Sequence, residues 1–224
     1  MFFEYELLNI HRIRQLMGYF ETAEWIRSQS GPKSFTRRGN MHTKVKECWT
    51  LEDIHQREDV QLISRKVFED INSTDIRADL LIDDANPPTF LKYDMGDYYD
   101  WHVDSYIMNG IRADYSVTIF LNDNYEGGEL VLDLGTEKIE KKCKPGTAFI
   151  YPTNFAHKIN PVTSGSRYVI VLWMSSLVRD ITVRQSAIEL TSFIKKYENE
   201  LTYSQKMEIE KTRTTLIRNF GDFV

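Results

Sequence analysis

Two short patterns in the chain place metal-ligating side chains where they could act together. The first is the run YDWHVD, in which His102 and Asp104 stand two apart. On a strand, residues i and i+2 point to the same face, so an imidazole and a carboxylate could converge on one ion. The second is IYPTNFAHKINP, which brings in His157. Two imidazoles and one carboxylate, with the other positions left open, make the facial triad that holds non-haem Fe(II). A lone His-x-Asp is also the pattern of a hydrogen-bonded surface pair, so its surroundings matter. Ten residues after His157 comes Arg167, at the head of the otherwise apolar strand RYVIVLWM. Arg167, Val169, Val171 and Trp173 share one face at period two. If that face is interior, the buried guanidinium requires a partner. Its planar fork suits a carboxylate. An end-of-strand arginine turned to solvent is the competing reading.

The elements that must position these residues fall into three regions. Up to about residue 85 the pattern reads as mostly helical. Asn9 is placed to cap a helix carrying Ile10, Ile13, Met17 and Phe20, and a second helix is expected near 56–72, with Val60, Ile63, Val67 and Ile71 on one face. Between them lies a basic loop with Lys33, Arg37, Arg38, Lys44 and Lys46. From 86 to 178 short alternating segments are separated by turn residues, beginning after Pro87-Pro88. Tyr115, Val117, Ile119 and Leu121 alternate with Ser116, Thr118 and Phe120. Leu130, Leu132 and Leu134 mark the next strand. Gly127, Gly128, Gly146 and Gly165 fall where turns need positive φ. From about Asp180 the chain reads as helical again. Leu190, Ile194, Tyr197 and Leu201 lie on one face, and a new helix starts at the Thr202/Gln205 capping box. These last helices could cover the β region or pair with another chain as a homodimer.

The stretch from about Phe90 to Ser176 resembles the Fe(II)/2-oxoglutarate dioxygenases, and within them the PKHD-type hydroxylases, relatives of prolyl 4-hydroxylases. The resemblance is carried by FLKYDMGDYYDWHVD, DYSVTIFLND with YEGGELVL, and KPGTAFIYPTNFAHKINPVTSGSRYVIVLWMSS, in that order. It implies a mainly β fold with flanking helices. The core would be a double-stranded β-helix (jelly roll), with N-terminal helices packed on it and a C-terminal helical extension. The domain would span 1–178, with helical support over 1–85 and the jelly roll over 86–178; the extension would span 179–224.

The resemblance also implies roles. His102, Asp104 and His157 match the iron ligands. Arg167 matches the residue that pairs with the far carboxylate of 2-oxoglutarate. Tyr93 and Thr118 match positions beside that co-substrate, while Phe120 stands where some relatives carry a tyrosine. Asp104 favours hydroxylation over halogenation, since related halogenases lack the carboxylate. Fe(II), 2-oxoglutarate and O2 would be required, with ascorbate as reductant. The implied substrate is a peptidyl prolyl or lysyl residue. A free amino acid or small metabolite is the alternative within the class, and a metal- or 2-oxoglutarate-binding β-barrel without turnover is the alternative outside it. The basic loop and Ser105–Asp114 are candidate lids, and Tyr98, Tyr99, Trp101, Tyr106 and Tyr151 candidate rim aromatics.

Composition narrows the partners. Lys and Arg total 28 against 33 Asp and Glu, a net charge of −5. This is a poor balance for general nucleic-acid binding, which rests on neutralising phosphates. The longest strongly apolar uncharged run, Tyr168–Val178, is too short to span a bilayer. The start, MFFEYELL, carries Glu4 and Glu6 and no basic segment, unlike a secretory signal. Two cysteines, Cys48 and Cys143, imply no disulfide framework, and a reducing cytoplasmic setting is expected.

Overall fold

The computed structural model describes residues 1–29, 46–51 and 58–222. Before residue 86 the elements run β1 (Phe3–Glu6), α1 (Ile10–Phe20), β2 (Trp25–Gln29), β3 (Lys46–Leu51), α2 (Glu58–Asn72), α3 (Ile76–Asp79) and β4 (Ile82–Ala85). The β-rich part follows with β5 (Thr89–Tyr93), β6 (Tyr98–His102), β7 (Ile107–Met108), β8 (Ile111–Arg112), β9 (Tyr115–Phe120), β10 (Glu126–Gly127), β11 (Leu130–Asp133) and β12 (Lys138–Lys141). It continues with β13 (Thr147–Pro152), β14 (Ala156–Ile159), β15 (Val162–Ser164) and β16 (Arg167–Ser176), and the chain closes with α4 (Ile181–Lys196) and α5 (Tyr203–Phe220).

Antiparallel pairing joins twelve of these strands into one curled sheet in the order β1-β13-β9-β16-β5-β3-β6-β14-β11-β12, with β2 on β3 and β4 on β16, while β7–β8 and β10–β15 form separate two-stranded sheets. This is the expected jelly-roll core with helices around it. Period-two alternation divides its residues between two interiors. Phe90, Val117, Ile119, Ile170 and Leu172 point outward and pack with Leu16 and Phe20 of α1 and Val67 and Ile71 of α2. Leu91, Tyr93, Phe120, Leu130, Leu132, Phe149 and Val169 point into the barrel. β9, β13 and β16 are therefore buried on both faces, which is why they read as nearly continuous apolar runs.

The helical reading of residues 1–85 needs correction. α1 and α2 are present, and the Asn9 side chain caps α1 by accepting from the Arg12 N–H at 2.9 Å. However, β1, β2, β3 and β4 all join the main sheet. FEYE alternates at period two with burial to match, a signal the sequence does carry. β2 and β3 have no such local signal, and β3 is held by distant partners, with Thr50 opposite Leu91 and Lys46 opposite Tyr99. The basic loop falls largely outside the described residues, as do the side chains of Val60 and Ile63.

At the other end, Asp180 caps α4 and the Thr202/Gln205 capping box opens α5. The buried face of α4 is Arg184, Ala187 and Ile188, whereas Leu190, Ile194 and Tyr197 are only half-buried. The two helices pack on each other and α4 covers the sheet.

Candidate metal and co-substrate site

His102 ends β6 and His157 lies in β14, and the antiparallel ladder sets these two residues directly opposite each other. Their ring centroids are 4.1 Å apart. Asp104 lies just past the end of β6, and one ligand atom from each of the three side chains falls within 4.8 Å of the others. His102 Nε2 is 3.8 Å from Asp104 Oδ1, and His157 Nε2 is 3.8 Å from Asp104 Oδ2.

Each imidazole is oriented from behind. His102 Nδ1–H donates to the Asp100 carbonyl at 2.8 Å and His157 Nδ1–H to the Phe155 carbonyl at 3.1 Å. A carbonyl can only accept, so this tautomer leaves both Nε2 lone pairs facing Asp104, as a metal site requires. Tyr99 stacks on His102 with centroids 3.7 Å apart. Burial alone would raise the Asp104 pKa. His157, the Ser116 hydroxyl, the Trp173 indole and His102 outweigh it and hold the carboxyl below its usual value, so the carboxylate is kept ionised.

The triad lines a cavity of about 170 Å³ together with Tyr93, Thr118, Tyr151 and Arg167. Tyr151 is interior rather than at the rim. Burial, with Asp104 adding to it, pushes its phenol well above the usual value against the opposing effects of Ser116, Thr118 and Arg167.

Arg167 is interior too, only 1% exposed. Its guanidinium carbon lies 5.1 Å from the Tyr93 ring centroid and 5.4 Å from that of Phe120. Its Nε and Nη2 have no hydrogen-bond partner among the described residues. Tyr125 is a polar neighbour: burial raises its phenol pKa, and the charge and hydrogen-bonding of Arg167 oppose the rise. Gly128 (φ 67°) leaves room for the arginine stem, since a Cβ there would stand 3.1 Å from Arg167 Cδ. A buried cation with two unused donors in a fork is a receptor for a carboxylate, and the set of two imidazoles and one carboxylate suits Fe(II). The residues present therefore fit both groups.

The other candidates scatter. Ser105–Asp114 holds the β7–β8 hairpin, turned at Asn109-Gly110, and Met108 of that hairpin lines the cavity. Asn-Gly between short strands was a readable hairpin signal. Tyr106 is 81% exposed, and the ammonium groups of Lys138 and Lys158 lie 5.0 and 5.3 Å from the Trp101 ring centroid. The sequence reading missed Ser116 and the indole of Trp173 as partners of Asp104. Trp173 shares a face with Arg167 at period two, but Ser116 carries no signal of its own.

Residues 88–175 match the 2OG-Fe(II) oxygenase superfamily. The chain is 37% identical over 121 residues to a PKHD-type hydroxylase of Alteromonas mediterranea, covering 50% of this chain and 54% of the relative. It is 42% identical over 103 residues to one of Picosynechococcus, covering 45% and 47%. The matched segments thus span about half the length of these curated relatives. Among solved structures, a Pseudomonas putida prolyl-4-hydroxylase superposes with a TM-score of 0.52 at 16% identity, over 78% of this chain and 92% of that one. A Trichoplax adhaerens prolyl hydroxylase, solved with a hypoxia inducible factor peptide fragment, gives 0.51 at 15%, over 77% and 82%. These likenesses show a shared fold.

Proposed function

We propose that this chain, whose residues 88–175 match the 2OG-Fe(II) oxygenase superfamily, is such an oxygenase and hydroxylates an unactivated C–H bond of a peptidyl prolyl residue. In this reading His102, Asp104 and His157 hold Fe(II). Arg167 anchors the far carboxylate of 2-oxoglutarate. The observation that carries the proposal is Arg167 itself: a guanidinium buried in the same cavity as the triad, with two donors unused.

When bound, Fe(II) and 2-oxoglutarate supply the oxidising power, one atom of O2 leaving in succinate as CO2 departs and the other entering the acceptor as hydroxyl. The chain's own residues do the rest. Arg167 fixes the co-substrate's orientation with its fork. Tyr93, the direct cross-strand partner of Arg167, and Phe120 wall the guanidinium off from water. Thr118 lines the same cavity and offers a hydroxyl to the co-substrate. The backbone carbonyls of Asp100 and Phe155 keep both imidazoles in the ligating tautomer.

A prolyl acceptor is favoured over a lysyl one because Asp104 is the only carboxylate among the described cavity residues, and it already has partners. A lysyl ammonium would lack a counter-charge there. The peptide bound to the Trichoplax neighbour is consistent with a protein substrate. The setting would be cytoplasmic, with ascorbate keeping the iron ferrous; among the described residues no helix is long and apolar enough to cross a membrane.

The test is an anaerobic titration of apo-protein with Fe(II) and 2-oxoglutarate, following the visible charge-transfer band of the chelated co-substrate. Wild type should develop the band, His157→Ala should not, and Arg167→Ala should need far more 2-oxoglutarate. A folded wild type that takes up Fe(II) yet shows no band overturns the reading. Prolyl against lysyl peptides in a succinate-release assay then tests the acceptor.

A further inference from the structure

His102 and His157 are held by the β6–β14 ladder, but Asp104 lies beyond the end of β6 and has no ladder to orient it. Its two oxygens are each 3.8 Å from one imidazole Nε2, so distance does not choose between them as the ligand atom. Two side chains from elsewhere make the choice. The Ser116 hydroxyl donates to Asp104 Oδ2 at 2.6 Å, and the Trp173 indole N–H donates to the same oxygen at 2.8 Å. Ser116 and Trp173 are directly opposite one another in the β9–β16 ladder, so the two donors form one rigid unit. No hydrogen bond reaches Oδ1 among the described residues.

We infer that Ser116 and Trp173 are positioning residues that reserve Asp104 Oδ2 and so restrict the carboxylate to metal ligation through Oδ1. This rests on the reading of the triad as an Fe(II) site. An oxygen already accepting two hydrogen bonds has little left to offer a cation, whereas a carboxylate with both oxygens free can take a cation through both. A carboxylate bound through both would occupy a position needed by the chelating co-substrate. The pair therefore protects the co-substrate's place on the metal more than the metal's place on the protein.

The experiment compares wild type, Ser116→Ala, Trp173→Phe and the double variant. Mn(II) affinity is measured by EPR. 2-Oxoglutarate affinity is then measured on Mn(II)-saturated protein, and the Fe(II)–2-oxoglutarate band is recorded anaerobically. The expected result is a fall in co-substrate affinity of roughly tenfold or more, as for loss of a hydrogen bond to a charged group, a displaced or weakened band, and a smaller change in Mn(II) affinity. Ser116→Thr, which restores the hydroxyl, should return the wild-type values. If Trp173→Phe does not fold, Ser116→Ala, which removes a single hydroxyl, carries the comparison. Unaltered co-substrate affinity and band in folded variants overturn the inference, as does a loss of Mn(II) affinity as large as the loss of co-substrate affinity. A wild type without the band instead overturns the functional reading beneath it.

Discussion

Arg167 and Tyr93 are direct partners across the β16–β5 ladder, and the guanidinium carbon sits 5.1 Å from the tyrosine ring centroid. The pairing holds a charge inside the barrel against an aromatic face, with Nε and Nη2 unpartnered among the described residues. Such a charge costs stability until a ligand satisfies it. Arg167→Leu should therefore leave the apo-protein at least as stable as wild type in urea unfolding, while weakening 2-oxoglutarate binding by about 2–5 kcal/mol. Arg167→Lys should recover only part of the affinity, because an ammonium keeps the charge and loses the fork. A marked loss of apo-stability in Arg167→Leu would show that the arginine supports the fold instead.

Metal binding should be visible as stability. The three candidate ligands, drawn from two strands and the loop after β6, come together only in the folded chain, so an ion held by them would bind the native state selectively. At a free metal concentration 100 times its Kd, the gain is about 2.7 kcal/mol. For a chain of this size that is roughly 5–10 °C in Tm. Mn(II) should raise the melting temperature of wild type by this amount and EDTA should reverse it. His157→Ala should melt at the same temperature with and without metal; a retained shift would place the ion elsewhere.

These residues show what a sequence can disclose. The convergence of His102, Asp104 and His157 did not come about by strand spacing alone: Asp104 stands past the end of β6, and the β6–β14 ladder is what brings His157 opposite His102. Arg167 stood out because a cation inside an apolar strand demands a reason. An antiparallel β region was legible from alternation and turn glycines over 86–178, and the family resemblance made it a jelly roll. What escaped depends on contacts between distant segments. Ser116 is an ordinary serine until β16 places Trp173 opposite it. β3 earns its place only by pairing with β5 and β6. Likewise, the buried face of α4 includes Arg184, which carries no sequence signal for burial and whose partner Asp114 lies far off in the chain.

Cys143 should be chemically quiet. Burial, more than its neighbours Glu4, Lys141 and Arg167, pushes its thiol up to about 11 from an ordinary 9.0. At pH 8 only about one molecule in a thousand would carry the thiolate, the nucleophilic form. Native protein treated with iodoacetamide at pH 8 should show Cys143 unmodified by peptide mass mapping, and urea-unfolded protein should show it alkylated. The sign for stability follows from the raised value. The folded state favours the neutral thiol, so this contribution is fully present below pH 9 and is lost as pH rises towards 11. Rapid native alkylation at pH 8 would contradict the buried placement.

The C-terminal helices should be held to the barrel by one charged hub. Asp114, just before β9, accepts from Arg184 Nη1 of α4 at 2.9 Å, from Arg112 Nε at 2.9 Å and from the Ser176 N–H at 2.8 Å. Arg184 is buried, donates also to the Val178 carbonyl, and lies 4.9 Å from the Tyr115 ring centroid. Asp114→Ala removes the acceptor and strands the Arg184 charge, which should cost about 3–5 kcal/mol in urea unfolding. Arg184→Met should cost less, since Asp114 keeps Arg112 and the Ser176 amide. The double variant should recover part of the Asp114→Ala loss, because it no longer buries an unpaired cation, giving a coupling of roughly 0.5–3 kcal/mol. Strictly additive losses would mean that the two side chains stabilise the helices independently, and that the hub is a set of separate contacts.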